Sequence, residues 1–464
     1  MRPQPPRTDA ADAGRDARIH EPEDLAMTES IDLLVEARWV IPIEPQGSVL
    51  EHHGVAVRDG RIVDILPVDA ARVRYTASER ISLPDHALLP GLVNAHTHAA
   101  MTLMRGLGDD QPLMRWLQET IWPAEARHVS EDFVRDGTLL ACCEMLRGGI
   151  TCFSDMYFYP DAAARAASLA GMRCMLGIIA IEFPTIYAAD AHDYLAKGLA
   201  TRDAWRGHEL VNFCIAPHAP YTVSDKTFER IRVLAEQLDL PIHMHIHETA
   251  HEIDESIARH GVRPLARLAR LGLVGPSLIG VHAVHLNPDE IDLLARHDCS
   301  IVHCPSSNLK LASGIAPVAA LKRAGVRVAL GTDGAASNNR LDLIEEMRLS
   351  ALLGKCASDD AAALPAHDSL RMATLDGAAA LGLAQHIGSL EPGKLADMIA
   401  VDLGGWITSP CYDPASHLVY VAGREQVSHV WVGGRLRVAE CKMLQIDNID
   451  LRQLSTLWQN KMMK

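Results

Sequence analysis

No stretch of this 464-residue chain approaches the ~20 consecutive apolar residues that a membrane-spanning helix needs. The first residues also lack an apolar h-region: Arg2, Arg7, Arg15 and Arg18 are interleaved with Asp and Pro, so they are not expected to act as a secretory signal. Residues 1–28 are expected to be a flexible extension, or a start placed upstream of Met27. The ten cysteines include no C-x-x-C pair and fall mostly in apolar runs such as Val211–Ile215. They read as buried free thiols in a reducing, cytoplasmic compartment, not as a disulfide framework. Basic residues are in deficit, 44 Lys plus Arg against 59 Asp plus Glu, a net charge of −15. That excludes a nucleic-acid coat, which requires a basic surface. What is present is ordinary for a globular protein with a large core, 48% hydrophobic and 22% charged residues.

Periodicity divides the chain. From 29 to 88 short β-rich runs surround a two-residue hairpin signal, Asp59-Gly60, between Gly54–Arg58 and Arg61–Ile65. The far end is similar, with Leu395–Val401 and a Gly433-Gly434 turn between His429–Val432 and Arg435–Val438. The two ends, 29–88 plus 386–445, are expected to pair into one small β-sandwich domain. Between them, over 89–385, eight strand-like runs alternate with helical patterns: 88–95, 150–155, 173–181, 210–218, 241–248, 277–285, 300–307 and 326–333. Ser224 is a candidate cap for a helix over 225–238, and Gly171 and Gly325 are candidate helix ends. Eight βα units predict a parallel (β/α)₈ barrel, an α/β fold, with a doubly wound open sheet as the alternative. No GxGxxG follows the first run, which counts against a dinucleotide-binding sheet. Residues 446–464 are left as a C-terminal helix or tail.

In such a barrel the chemistry gathers at the C-terminal ends of the strands. The first run ends in His96-Thr97-His98, and residues i and i+2 of a strand share a face. The fifth ends in His243-Met244-His245-Ile246-His247-Glu248, the sixth in His282-Ala283-Val284-His285 and the eighth in Gly331-Thr332-Asp333-Gly334. Three histidines and a carboxylate at one mouth form an N/O set suited to zinc or ferrous iron. Spacing alone leaves 243, 245 and 247 equivalent. His251, His260 and His297 read as ordinary surface or loop histidines, and Asp155 as a structural or turn aspartate.

Pro90-Gly91-Leu92-Val93-Asn94-Ala95-His96-Thr97-His98, His247-Glu248-Thr249 and Gly331–Gly334 resemble the amidohydrolase superfamily of metal-dependent barrel hydrolases, over residues 30–445. The longer strings are similar to the 5-methylthioadenosine/S-adenosylhomocysteine deaminases within it: Asn94 to Gly108, Ile121 to Glu125, Ser307 to Leu311 and Gly331 to Asn339. The resemblance implies metal binding by His96, His98, His245 and Asp333, the His-x-x-Glu pattern selecting His245 with Glu248. Binuclear relatives use a bridging lysine on the fourth strand. Cys214–His218 ends without one, so one divalent ion is expected, zinc before ferrous iron. Glu248 is then the proton shuttle to the purine N1, His282 orients the attacking oxygen, and Asp333 both binds metal and accepts the water proton.

On the substrate side the resemblance assigns Glu125 to the ribose hydroxyls and His218 to the nucleoside, with Glu248 and Asp333 at the base. The long connection 99–129, with Met101, Met104, Met114, Trp116 and Trp122, is either ordinary packing or an adaptable wall for a thioether and a purine. Only Arg202 and Arg206 occur in 182–206, so the arginines that would grip a homocysteine carboxylate are not matched. The expected activity is hydrolytic deamination of 5′-methylthioadenosine, with S-adenosylhomocysteine left open. The alternatives are a guanine or chloro/amino-triazine hydrolase of the same barrel, or a scaffold that lost its chemistry. The expected partner is a small purine nucleoside, without nucleic acid or membrane. Assembly into a homo-oligomer is compatible with the sequence.

Overall fold

The computed structural model describes residues 28–463, so the extension expected over 1–28 lies outside the described residues except for Thr28. The strands are β1 (Glu29–Val40), β2 (Leu50–Arg58), β3 (Arg61–Pro67), β4 (Tyr75–Pro90), β5 (Leu92–Thr97), β6 (Ile150–Asp155), β7 (Arg173–Ala180) and β8 (Val211–Pro217). They continue as β9 (Ile242–Ile246), β10 (Leu278–His282), β11 (Ser300–His303), β12 (Arg327–Leu330), β13 (Met398–Asp402), β14 (Val427–Val432), β15 (Arg435–Ala439) and β16 (Lys442–Met443).

Both chain ends build one mixed sheet, in the order β16-β15-β14-β13-β4-β1-β2-β3. Its strands share an apolar core that includes Val35, Val55, Ile62, Met398 and Trp431. Asp59 and Gly60 both have positive φ, as the two-residue turn joining β2 to β3 requires, and Gly433-Gly434 repeats this between β14 and β15. The two turns touch. A Cβ on Gly60 would sit 2.6 Å from the Gly433 carbonyl oxygen, so the sheet folds on itself only with glycine there.

Strands β5 to β12 form the second sheet, all parallel and in sequence order. The run 88–95 divides at Gly91. Leu88–Pro90 end β4 in the terminal sheet against β13, and the barrel strand begins at Leu92. Closure between β12 and β5 depends on a side chain. Asn94 donates to Thr332 Oγ1 at 2.8 Å and accepts from the Thr332 amide at 3.0 Å, and the Asp333 amide donates to the His96 carbonyl at 3.1 Å. The open doubly wound sheet is thereby excluded. Ser224 caps the helix Asp225–Leu238, and Gly171 ends Pro160–Ala170 in the left-handed region, as the sequence signals predict.

A bidentate pair ties the two sheets together: Arg173, at the start of β7, donates to both oxygens of Asp397 at 3.0 and 3.1 Å, both residues buried. The C-terminal helix Asn448–Met462 docks through Trp458. Its ring packs edge-on against Phe133, and its indole N–H donates to Asp136 Oδ2 at 2.8 Å. Trp458→Ala removes a buried ring and strips Asp136 of that donor, an expected loss of about 3–5 kcal/mol. Chemical denaturation should show the lower stability while metal content stays at the wild-type level.

Candidate active site

The alternation of β5 puts His96, and the following His98, at the mouth of the barrel. On β9 the equivalence of three histidines is resolved by what each touches. His245 reaches His96, Nε2 to Nε2 at 3.2 Å. His243 lies behind, its Nε2 3.1 Å from His96 Nδ1 and its own Nδ1 3.1 Å from Ser154 Oγ. His247 turns away and accepts the Leu265 amide at 3.0 Å. His247, His282 and Asp333 all have positive φ (54°, 71° and 59°), so each of these strands ends in a left-handed bend that redirects the chain.

His96, His98 and His245 bring donor atoms within 4.8 Å of one another, as do His96, His282 and Asp333. His96 Nε2 lies 3.5 Å and His98 Nε2 3.3 Å from Asp333 Oδ1. A tetrahedral zinc ion with bonds of ~2.0–2.1 Å sets its donors about 3.3 Å apart, so these spacings fit the edges of such a polyhedron. Burial lowers His96 to about 4 and holds His245 well below its ordinary value, keeping both imidazoles neutral, as metal ligation requires. The outer nitrogens of His98 and His245 are also engaged. His98 Nδ1–H donates to the Met156 carbonyl at 2.6 Å and His245 Nδ1–H to the His218 carbonyl at 2.8 Å. Asp333 Oδ2 accepts from Ser307 at 2.6 Å.

Glu248 is buried beside this cluster, 3.8 Å from His282 Nε2. Burial raises its carboxyl, and the Asp333 charge adds to this while His282 opposes it. His282 Nδ1 is 2.9 Å from Asn308 Oδ1. Above them opens a cavity of about 370 Å³. Glu125 lines it, accepting from Tyr157 Oη–H at 2.8 Å, and burial pushes its carboxyl up to about 7. His218 lines it too, its Nδ1 3.1 Å from Thr222 Oγ1. Of the residues noted in the 99–129 connection, Met101, Trp116 and Trp122 face the cavity, whereas Met104 is packed in the core. Among the described residues, no lysine or arginine lines it, Arg202 and Arg206 included.

Other sequence candidates fall elsewhere. Asp155 accepts the Ala99 amide at 2.7 Å and so fixes the first turn after β5. His285 is tied to the Ser313 carbonyl at 2.8 Å. His251 and His297 are exposed and His260 half-buried. Sequence reasoning missed His243 as a partner of His96, Tyr157 as the donor to Glu125, and Ser307 and Asn308. Strand parity flagged His243, because it shares a face with His245, and Ser307 and Asn308 open the Ser307–Leu311 string of the resemblance without a role attached, but no local signal marked Tyr157.

Residues 87–437 match the amidohydrolase family. A 5-methylthioadenosine/S-adenosylhomocysteine deaminase of Saccharophagus degradans is 49% identical over 430 residues, 93% of this chain and 96% of the relative. An adenosine deaminase of Xanthomonas campestris, solved with bound zinc, is 50% identical and superposes with a TM-score of 0.93 over 94% of this chain and 99% of its own. A variant atrazine chlorohydrolase of Arthrobacter aurescens, complexed with zinc and atraton, is 25% identical with a TM-score of 0.84 over 92% of this chain and 99% of its own. With the barrel, the histidine and aspartate cluster at its mouth and matches running nearly end to end, this chain belongs to the amidohydrolase family.

Proposed function

We propose that the chain is a metal-dependent aminohydrolase that converts 5′-methylthioadenosine to its inosyl product and ammonia. The observation that carries the reading is the placement of Glu248 and His282 on the open side of the donor cluster, at the base of an apolar cavity with a carboxylate, Glu125, in its wall. His96, His98, His245 and Asp333 would hold a single zinc ion. The end of β8, Ala216-Pro217-His218, offers no lysine to bridge a second. When bound, the ion supplies the Lewis acidity that lets water attack at neutral pH. Asp333 accepts the proton of that water, and His282 Nε2 orients its oxygen toward C6 of the purine. As C6 becomes tetrahedral, Glu248 delivers a proton to N1, a task suited to a carboxyl raised by burial. Asp333 passes the water proton to the amino group, which departs as ammonia, and the C6 hydroxyl proton returns to Glu248 as the C6 carbonyl forms.

Glu125 is placed to accept the ribose hydroxyls, and the apolar wall of Met101, Trp116, Trp122 and Phe183 suits a methylthio group. Among the described residues no Lys or Arg lines the cavity, which favours methylthioadenosine over S-adenosylhomocysteine, whose carboxylate would enter without a cationic partner. The ten free cysteines support a reducing, cytoplasmic setting, and no helix among the described residues is long and apolar enough to cross a membrane. Ammonia release measured side by side with methylthioadenosine, S-adenosylhomocysteine, adenosine, guanine and a chlorotriazine tests the reading directly. A preference for guanine or the triazine would overturn it.

His96→Ala and His245→Ala should each lose metal and turnover together. Elemental analysis of the parent should give about one ion per chain, and a value near two with activity in proportion would contradict a mononuclear site. Glu248→Gln should keep its metal and lose ~10²–10⁴-fold in kcat, because the near-isosteric amide cannot carry the proton. Glu125→Ala should slow the nucleosides while leaving the weak reaction with free adenine nearly unchanged, since binding energy from the ribose is realised at the reacting carbon. Equal losses with both substrates would show that Glu125 maintains the site itself.

A further inference from the structure

Among the described residues β11 sends no side chain into the donor cluster, yet the helix that follows it, Pro305–Lys310, touches two of the site's functional groups from behind. Ser307 Oγ–H donates to Asp333 Oδ2 at 2.6 Å, and Asn308 Oδ1 lies 2.9 Å from His282 Nδ1. Both residues are fully buried. In each case the contact takes the atom facing away from the cluster. Asp333 Oδ1 remains toward His96 and His98, and His282 Nε2 toward Glu248. The turn is itself anchored. The Ser306 amide donates to Glu346 Oε2 at 3.0 Å, while Glu346 Oε1 accepts from Asn338 Nδ2 at 2.8 Å, so one carboxyl joins the exits of β11 and β12.

A neutral imidazole carries one N–H, and an acceptor facing Nδ1 places the proton there and leaves the lone pair on Nε2. The Asn308 amide is oriented with Oδ1 toward His282 Nδ1, and its Nδ2 has no partner among the described residues. We propose that Ser307 and Asn308 are positioning residues, Asn308 holding His282 as the Nδ1–H tautomer with Nε2 free for the attacking water, and Ser307 occupying Asp333 Oδ2 so that Oδ1 alone faces the donor cluster. For the reaction step this rests on the deaminase reading above. The tautomer itself does not.

Two substitutions separate acceptor, donor and packing roles at Asn308. Asn308→Leu keeps the volume and removes the acceptor, and Asn308→Asp keeps an acceptor and removes the amide N–H. The leucine variant should lose ~10²-fold in kcat with KM within about twofold and metal content unchanged, and the aspartate variant should recover to within about tenfold of wild type. In ¹⁵N spectra of the metal-loaded wild type, His282 should carry its proton on Nδ1. Wild-type turnover by the leucine variant, an aspartate variant as impaired as the leucine one, or a wild-type proton on Nε2 would each overturn the assignment. For Ser307→Ala, competition with a chelator should show zinc affinity weakened by roughly 10–100-fold, as expected when a partner of a metal ligand is removed. Unchanged affinity would remove Ser307 from the proposal. A wild type that deaminates no nucleoside would end the functional reading, while the nitrogen spectra would still decide the tautomer.

Discussion

Each imidazole at the mouth of the barrel has its Nδ1 tied to a neighbour, and this leaves the Nε2 atoms turned toward a common point. His96 is tied to His243, His98 to the Met156 carbonyl, His245 to the His218 carbonyl and His282 to Asn308. The partners come from different strands or from the segments that follow them, so the orientation of every ring depends on the register of the barrel. Closure at β12 and β5 is part of the same network. Asn94 joins Thr332 to β5, and Thr97 Oγ1–H donates to the carbonyl of Asp333 at 2.8 Å. These groups are buried, and each one left unpaired would cost about 1–3 kcal/mol. The polar cluster therefore holds the barrel end together.

Burial acts on this cluster in two opposite senses with one physical cause, since a poorly solvated environment favours whichever form of a group is neutral. It pulls His96 and His218 down, to about 4 and about 3, and pushes Glu125 up to about 7, with Glu248 raised as well. Neutral imidazoles are available as donors of a lone pair, and a raised carboxyl is available to carry a proton. Tyr157 opposes the shift at Glu125 by donating to it, so that carboxyl is both poised and oriented. Met101, Trp116 and Trp122 of the 99–129 connection line the cavity beside the same groups.

Much of the architecture was legible because it rests on local patterns. The eight apolar runs correspond to β5 through β12, and the Asp59-Gly60 and Gly433-Gly434 turns sit where their positive-φ geometry demands. The differences lie at strand ends. The run 88–95 divides between the two sheets at Gly91, and 300–307 stops as a strand at His303 because Pro305 opens a helix. Apolar character continues across Gly91, so hydrophobicity alone cannot mark where one sheet hands the chain to the other.

What the sequence by itself determined were the residue types and their parity: an apolar alternation that builds a parallel barrel, and histidines spaced to share one strand face. Spacing left His243, His245 and His247 equivalent and the family pattern selected His245, but the physical reason lies in the tertiary structure, because the left-handed bend at His247 and the contact of His243 with Ser154 both depend on neighbouring strands. The same holds for Tyr157 beside Glu125, and for Ser307 and Asn308 behind Asp333 and His282. Each pair is separated by more than twenty residues in the chain, and its hydrogen bond forms only when the elements that carry the two residues pack side by side. Sequence periodicity reports which side of an element is buried. The partner of a buried polar atom is set by the packing of elements distant in the chain.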